Sequence, residues 1–328
     1  MIKIRFHRLL KFTLALFLPL ILFLMLPTFA QAASEIDQRQ VVFVICDYLN
    51  TDDLNRTELK HLHNFFGEGS VALLNTNTAG ARNRQNAAAT ISAGRVALGT
   101  KIEPLVFGPR ENIHGEDPMV LFQARTGIVP EPENLVVLDF PSIQWANEKE
   151  QNSAEPGALG DALHKKGLKT AVIGNSDLPG EFLHDRSAAL IAMDRKGIID
   201  CGNISEEVIS YDPCDPLGHR TDFSKLESLF LQLKPQTDLM VIDLGNLVRL
   251  EHKKEELTAQ VYQQEREKIL HEYDEFIGFL MEKTDLSQSL LLVATTTPTV
   301  EAKSEKRLFG FIGAQGKGLE EGLLTTPT

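Results

Sequence analysis

From residue 41 onward, short unbroken apolar runs alternate with segments whose apolar residues recur at helical spacing. That is the pattern of a parallel sheet covered by helices on both faces. Residues 41–46 (VVFVIC), 239–243 (LMVID) and 290–294 (LLLVA) are the strongest runs. None alternates polar with apolar positions, so the three are expected side by side in the sheet interior with their carboxyl ends pointing the same way. Weaker runs predict strands at 70–74, 135–139, 169–173, 189–193 and 308–312. Helices are expected over 53–66, capped by Thr51 or Asp52, and over 86–96, 158–166, 223–233 and 254–283. The predicted class is α/β: three layers, a mostly parallel sheet with helices on both faces. No internal repeat or long Gly/Ser linker demands a second domain.

Ahead of these elements, Lys3, Arg5, Arg8 and Lys11 precede an uncharged apolar run over 12–26, and Ala30 and Ala32 follow it. A basic segment, an apolar segment and small residues at a cleavage position predict a secretory signal peptide over residues 1–32. The run is interrupted by Pro19 and falls short of the roughly 20 residues that cross a bilayer. Left uncleaved, it would hold the domain beside the membrane. The domain, residues 39–328, is therefore expected to act outside the cytoplasm, secreted or at the cell surface.

Charge narrows the partners. The chain carries a formal −12, and the signal segment holds four basic and no acidic residues, which leaves −16 after cleavage. So acidic an exterior argues against nucleic acid. Three cysteines are too few for a disulfide scaffold. Cys201 and Cys214 flank a Pro- and Asp-rich loop that allows a bridge, and Cys46 reads as a core thiol.

Ligands of an open α/β sheet bind beyond the carboxyl ends of its strands. Asp47 follows the first run and Asp243 ends LMVID. A carboxylate at such a place binds a divalent metal or caps the next helix. The polar loop over 75–86 leads into a helix of small residues, with Arg82, Asn83, Arg84 and Asn86 at its entrance. Free N–H groups and arginines there suit an anionic small molecule. Equally, the small residues let the helix lie close to the sheet with the arginines at the surface.

The strand ending in Asp47, the stretch over 83–96 with its tail TISAGRV, and the order of elements resemble the alkaline phosphatase superfamily, which includes cofactor-independent phosphoglycerate mutases, sulfatases and nucleotide pyrophosphatases. The resemblance implies a Ser or Thr nucleophile at the helix entrance between two divalent metals held by Asp and His. Here Asn83 or Arg84 stands at that entrance, with Thr76 and Thr78 several residues upstream. The later Asp-x-x-x-His and Asp-His-Gly patterns are replaced by Asp243-Leu-Gly-Asn246 and by Thr295-Thr-Thr-Pro298, so Asp47 and Asp243 remain as metal ligands and His219 or His252 as sources of an imidazole. Such a set suits Mg²⁺ or Ca²⁺ better than a zinc pair. Relatives continue past the point where this chain ends, which implies a C-terminally incomplete domain. The expectation is a non-catalytic or ligand-binding relative; the alternative is a metal-dependent hydrolase or mutase of phosphate or sulfate esters.

Overall fold

The computed structural model describes residues 39–100, 105–149, 153–178, 184–299, 309–319 and 322–323. The expected signal segment lies outside them.

The strands are β1 (Val41–Ile45), β2 (Ser70–Asn75), β3 (Val106–Phe107), β4 (Leu135–Val137), β5 (Thr170–Ile173), β6 (Ile198–Ile199), β7 (Cys201–Asn203), β8 (Ile209–Tyr211), β9 (His219–Thr221), β10 (Leu239–Asp243), β11 (Leu290–Thr295), β12 (Phe309–Gly316) and β13 (Gly322–Leu323). The α-helices are α1 (Thr51–Leu54), α2 (Lys60–Gly67), α3 (Arg84–Ala93), α4 (Pro118–Thr126), α5 (Phe140–Glu148), α6 (Ala158–His164), α7 (Ala189–Ala192), α8 (Phe223–Leu233), α9 (Asn246–Lys253) and α10 (Ala259–Lys283).

An eight-stranded sheet runs in the order β13-β2-β12-β11-β1-β10-β5-β7. As expected, β1 lies between β10 and β11 and is parallel to both, with Ile45 level with Asp243 and Ala294. Only β12 runs against its neighbours in this sheet.

Alternate side chains of the central strands enter different cores, which makes three layers. Val42, Val44, Met240, Ile242, Leu291 and Val293 pack with Phe65, Phe230, Tyr273, Phe276 and Ile277 from α2, α8 and α10. Phe43, Ile45, Val172 and Val241 pack with Ala88, Phe140, Ile143 and the buried run over 188–193 on the other face. An unbroken apolar strand is what two covered faces require.

Several elements differ from expectation. Residues 189–192 form α7 rather than a strand, and all four are buried. A short apolar run buried on every side carries no periodicity to separate the two states. β4 belongs to a separate three-stranded sheet with β3 and β6. The helix expected over 53–66 is split into α1 and α2. The cap of α1 is Asn50, whose side chain accepts from the Asp53 N–H while Asp53 accepts from the Asn50 N–H. The helix expected over 254–283 is preceded by α9 and a 3₁₀ turn, and Thr258 caps α10. All three cysteines are free thiols, so the Cys201–Cys214 bridge is not formed.

Candidate functional site

Asp47 leaves the end of β1 and Asp243 ends β10, so parallel pairing brings both carboxylates to one rim of the sheet. Helix α3 starts at the same rim. Its N-cap is Asn83, whose side-chain oxygen accepts from the Asn86 N–H at 3.0 Å. Arg84 is therefore the first residue of the helix, and its side chain turns inward. Nε donates to Asp47 Oδ2 at 2.8 Å and Nη2 donates to Asp243 Oδ1 at 2.7 Å. Nη1 forms an ion pair with Asp185 Oδ2 at 2.6 Å. That approach lies outside hydrogen-bond angles, so Nη1 has no hydrogen-bond acceptor among the described residues.

The cluster is closed to solvent: Asp47 and Asp243 are 1% exposed, Arg84 5% and Asp185 7%. Each carboxylate is also held by groups that orient it. Asp47 Oδ1 accepts from the N–H groups of Thr296 (2.7 Å) and Thr297 (2.9 Å) and from the Thr296 hydroxyl (2.8 Å). Asp243 Oδ2 accepts from the Ser176 hydroxyl at 3.1 Å. Asp185 Oδ1 accepts from the Ser187 hydroxyl at 2.7 Å. Thr297 Oγ1 is buried and has no hydrogen-bond partner among the described residues.

Burial works against the guanidinium, but Asp185, Asp243 and Asp47 outweigh it and hold its pKa well above the ordinary value. For Asp243 burial dominates over the opposing effect of Arg84, and Asp185 adds to it, so its pKa is pushed up to about 6. Burial, then Asp47 and Asp243, push the Cys46 thiol upward as well. Tyr48, next to Asp47, takes a left-handed φ of 65°. Its N–H donates to Thr297 O at 3.0 Å, and its carbonyl accepts from Arg266 Nη2 at 3.3 Å. Burial raises its phenol pKa, and the phenol feels Arg84, Asp47 and Asp185.

Two further buried arginines line this rim. Arg249 of α9 donates to the carbonyls of Asp177 and Asn175 (both 2.9 Å), to Thr221 Oγ1 (3.1 Å) and to Asn246 Oδ1 (3.0 Å). Arg186 pairs with Asp177 (2.9 Å) and Glu111 (2.8 Å).

The residues expected to bind an anion are engaged otherwise. Arg84 faces carboxylates, which repel any anion brought beside it. Arg82 is exposed and donates to Asn77. Asn83 caps α3, and Asn86 ties Ala81 (2.9 Å) to Gly99 (2.7 Å). Asp47 and Asp243, expected as metal ligands, do converge, but on a guanidinium. Neither His219, whose ring packs on Tyr211 with centroids 5.0 Å apart, nor His252 bonds to the cluster. Of the upstream threonines, Thr78 Oγ1 lies 2.9 Å from the Ala81 carbonyl. The sequence reading missed Asp185, Ser176 and Thr296. Ser176 and Thr296 follow strand ends by one to three residues, which could have marked them, whereas Asp185 precedes α7 and carries no such mark.

The sheet order and its two covered faces make an alkaline phosphatase superfamily-like fold. A solved alkaline phosphatase superfamily protein from Vibrio parahaemolyticus is similar, with a TM-score of 0.52 and 12% identity over 87% of this chain and 62% of that one. The chain thus spans less than two thirds of that protein. The alkaline phosphatase of the Antarctic bacterium TAB5 aligns with a TM-score of 0.43 and 13% identity over 87% of this chain and 93% of that one. A lipoteichoic acid synthase, LtaP, from Listeria monocytogenes aligns at 0.43 and 12% over 88% and 67%. No family model and no curated protein sequence matches the chain.

Proposed function

We propose that this chain is an extracytoplasmic protein of alkaline phosphatase-like fold that does not turn over phosphate or sulfate esters and acts by binding. The observation that carries this reading is the entrance of α3. Asn83 spends its side chain on the helix cap, and Arg84 points into three carboxylates. An amide or a guanidinium cannot form the covalent intermediate that a hydroxyl would. The hydroxyls of Ser176, Ser187 and Thr296 donate to Asp243, Asp185 and Asp47. Among the described residues no imidazole bonds to those carboxylates, and Arg84 stands between them, so the residues present do not fit the superfamily's metal pair. Export is supported by the basic and apolar composition of residues 1–32.

The test is a screen of the purified mature chain against aryl phosphate monoesters, phosphodiesters and sulfate esters with added Mg²⁺, Mn²⁺ or Zn²⁺. Background rates are expected throughout. Metal-dependent hydrolysis that vanishes in Asp47→Ala would restore the hydrolase alternative. N-terminal sequencing of exported material is expected to begin near Ala33.

A further inference from the structure

We propose that His61 of α2 and Asp274 and Glu275 of α10 form a binding site for a divalent transition-metal ion of the Zn²⁺ type, which clasps the two helices together.

One imidazole and two carboxylates meet where α2 lies against α10, and one ligand atom from each falls within 4.8 Å of the other two. Two ligands of one zinc ion, each about 2.1 Å from it, are at most about 4.2 Å apart. Closing the set on an ion therefore takes a shift of about 0.6 Å. Glu275 can make that shift, because its side chain is exposed and neither hydrogen-bonds to nor pairs with a described residue.

Asp274 is the second observation. It is 4% exposed, yet no cation among the described residues forms an ion pair with it. Its Oδ1 accepts from the Leu62 N–H at 2.8 Å. That bond serves the start of α2, where Leu59 at the N-cap has no polar side chain to offer. Oδ2 has no hydrogen-bond partner among the described residues. Buried carboxylates are ordinarily paired with a cation or a metal.

Gly278 is the third. It lies one turn beyond Asp274, and a Cβ there would stand 2.7 Å from Cγ and Nδ1 of His61. The missing side chain lets the imidazole lie against α10 beside both carboxylates. A glycine inside a 25-residue helix otherwise weakens it. His61 makes no hydrogen bond to a described residue, so packing on Gly278 holds the ring there.

Charge and donor type select the ion. A neutral imidazole and two carboxylates balance a divalent cation. The nitrogen donor disfavours Ca²⁺ and Mg²⁺, which take oxygen, and the set suits Zn²⁺ or its neighbours Co²⁺ and Ni²⁺ with water in the remaining position. The ion steadies the helix whose Phe66 packs on Phe311 of β12, with ring centroids 5.6 Å apart. The site shares no residue with the Arg84 cluster and does not depend on the function proposed above.

The experiment titrates the tag-free, chelator-treated mature chain with Zn²⁺, read by competition with a chromogenic chelator, and with Co²⁺, read by its visible absorption. The unaltered chain is expected to bind one Zn²⁺ ion saturably and to gain about 4 °C or more in unfolding temperature at saturation. His61→Gln and Glu275→Gln should each weaken binding at least about tenfold and remove the Co²⁺ bands. Gly278→Ala keeps all three ligands but displaces the ring, and should weaken binding too. His271→Gln, one turn before Glu275 on α10, should bind as the unaltered chain does. Absence of stoichiometric Zn²⁺ binding overturns the inference. Binding that survives His61→Gln, or that is lost in His271→Gln, also overturns it, since an adventitious ion on the surface of α10 would then explain the titration. If His61→Gln does not fold, Glu275→Gln, an exchange at an exposed position, decides. None of these failures touches the ester screen, and ester hydrolysis by the unaltered chain would overturn the proposed function whatever binds here.

Discussion

Arg84 Nη2 lies 2.7 Å from Asp243 Oδ1 and so joins the first turn of one helix to the end of a central strand 159 positions later. The same guanidinium reaches Asp47 at the end of the neighbouring strand. The contact therefore fixes where α3 sits over the rim.

Breaking it should be costly. Arg84→Ala leaves buried carboxylates without their partner, and a loss of about 3–5 kcal/mol of stability is expected. Urea unfolding of the variant in chelator-treated buffer measures it. A loss below about 1 kcal/mol would mean that the cluster is already neutralised by protons.

Arg249 is different in kind, because its N–H groups meet neutral oxygens. Arg249→Met should strand the carbonyls of Asn175 and Asp177 and cost about 2–5 kcal/mol. Chemical denaturation reads this, and an unchanged midpoint would show that water replaces the guanidinium.

Gly174 takes a φ of 84° at the end of β5, and a Cβ there would lie 2.4 Å from the carbonyl oxygen of Asp243. Gly174→Ala combines a left-handed conformation with a backbone clash beside the cluster. A loss of about 2–4 kcal/mol is expected, together with greater reactivity of the buried Cys46 toward thiol reagents.

His164 bonds to Asp194 Oδ2 at 3.3 Å and Asp200 Oδ2 at 2.8 Å. The bond to Asp194, then that to Asp200, outweighs burial and lifts the imidazole pKa to about 10. A raised folded value means stability that is full below the unfolded pKa of about 6.5 and is lost as pH rises through about 10. The stability difference between the unaltered chain and His164→Gln should therefore be large at pH 6 and shrink by pH 10.5. A constant difference over that range would show that the imidazole is not held charged.

How legible all this was depends on how local each signal is. β1, β10 and β11 could be placed because a strand covered on both faces must be apolar throughout, and VVFVIC, LMVID and LLLVA are. Asp47 and Asp243 followed, since each lies at the end of such a run. The run over 189–193 was misread because four buried residues are too few to show a period. Arg84 was noticed, but its direction was not readable: whether a guanidinium meets an anion from solvent or carboxylates from within depends on partners 37 and 159 positions away. Asp185 was invisible for the same reason, as nothing beside it in the chain resembles a strand end.

The placing of β1 between β10 and β11 also sets an order of events. Among the described residues, the first strand pairs with segments that begin 198 and 249 positions further on, and Asp47 gains hydrogen bonds from Thr296 and Thr297 at separations of 249 and 250 positions. Closing loops of that length makes folding slow and leaves a β-rich strand exposed meanwhile. While the chain is being made, residues 41–45 have no partner to pair with. Its centre can therefore form only after residues 239–294 have been made.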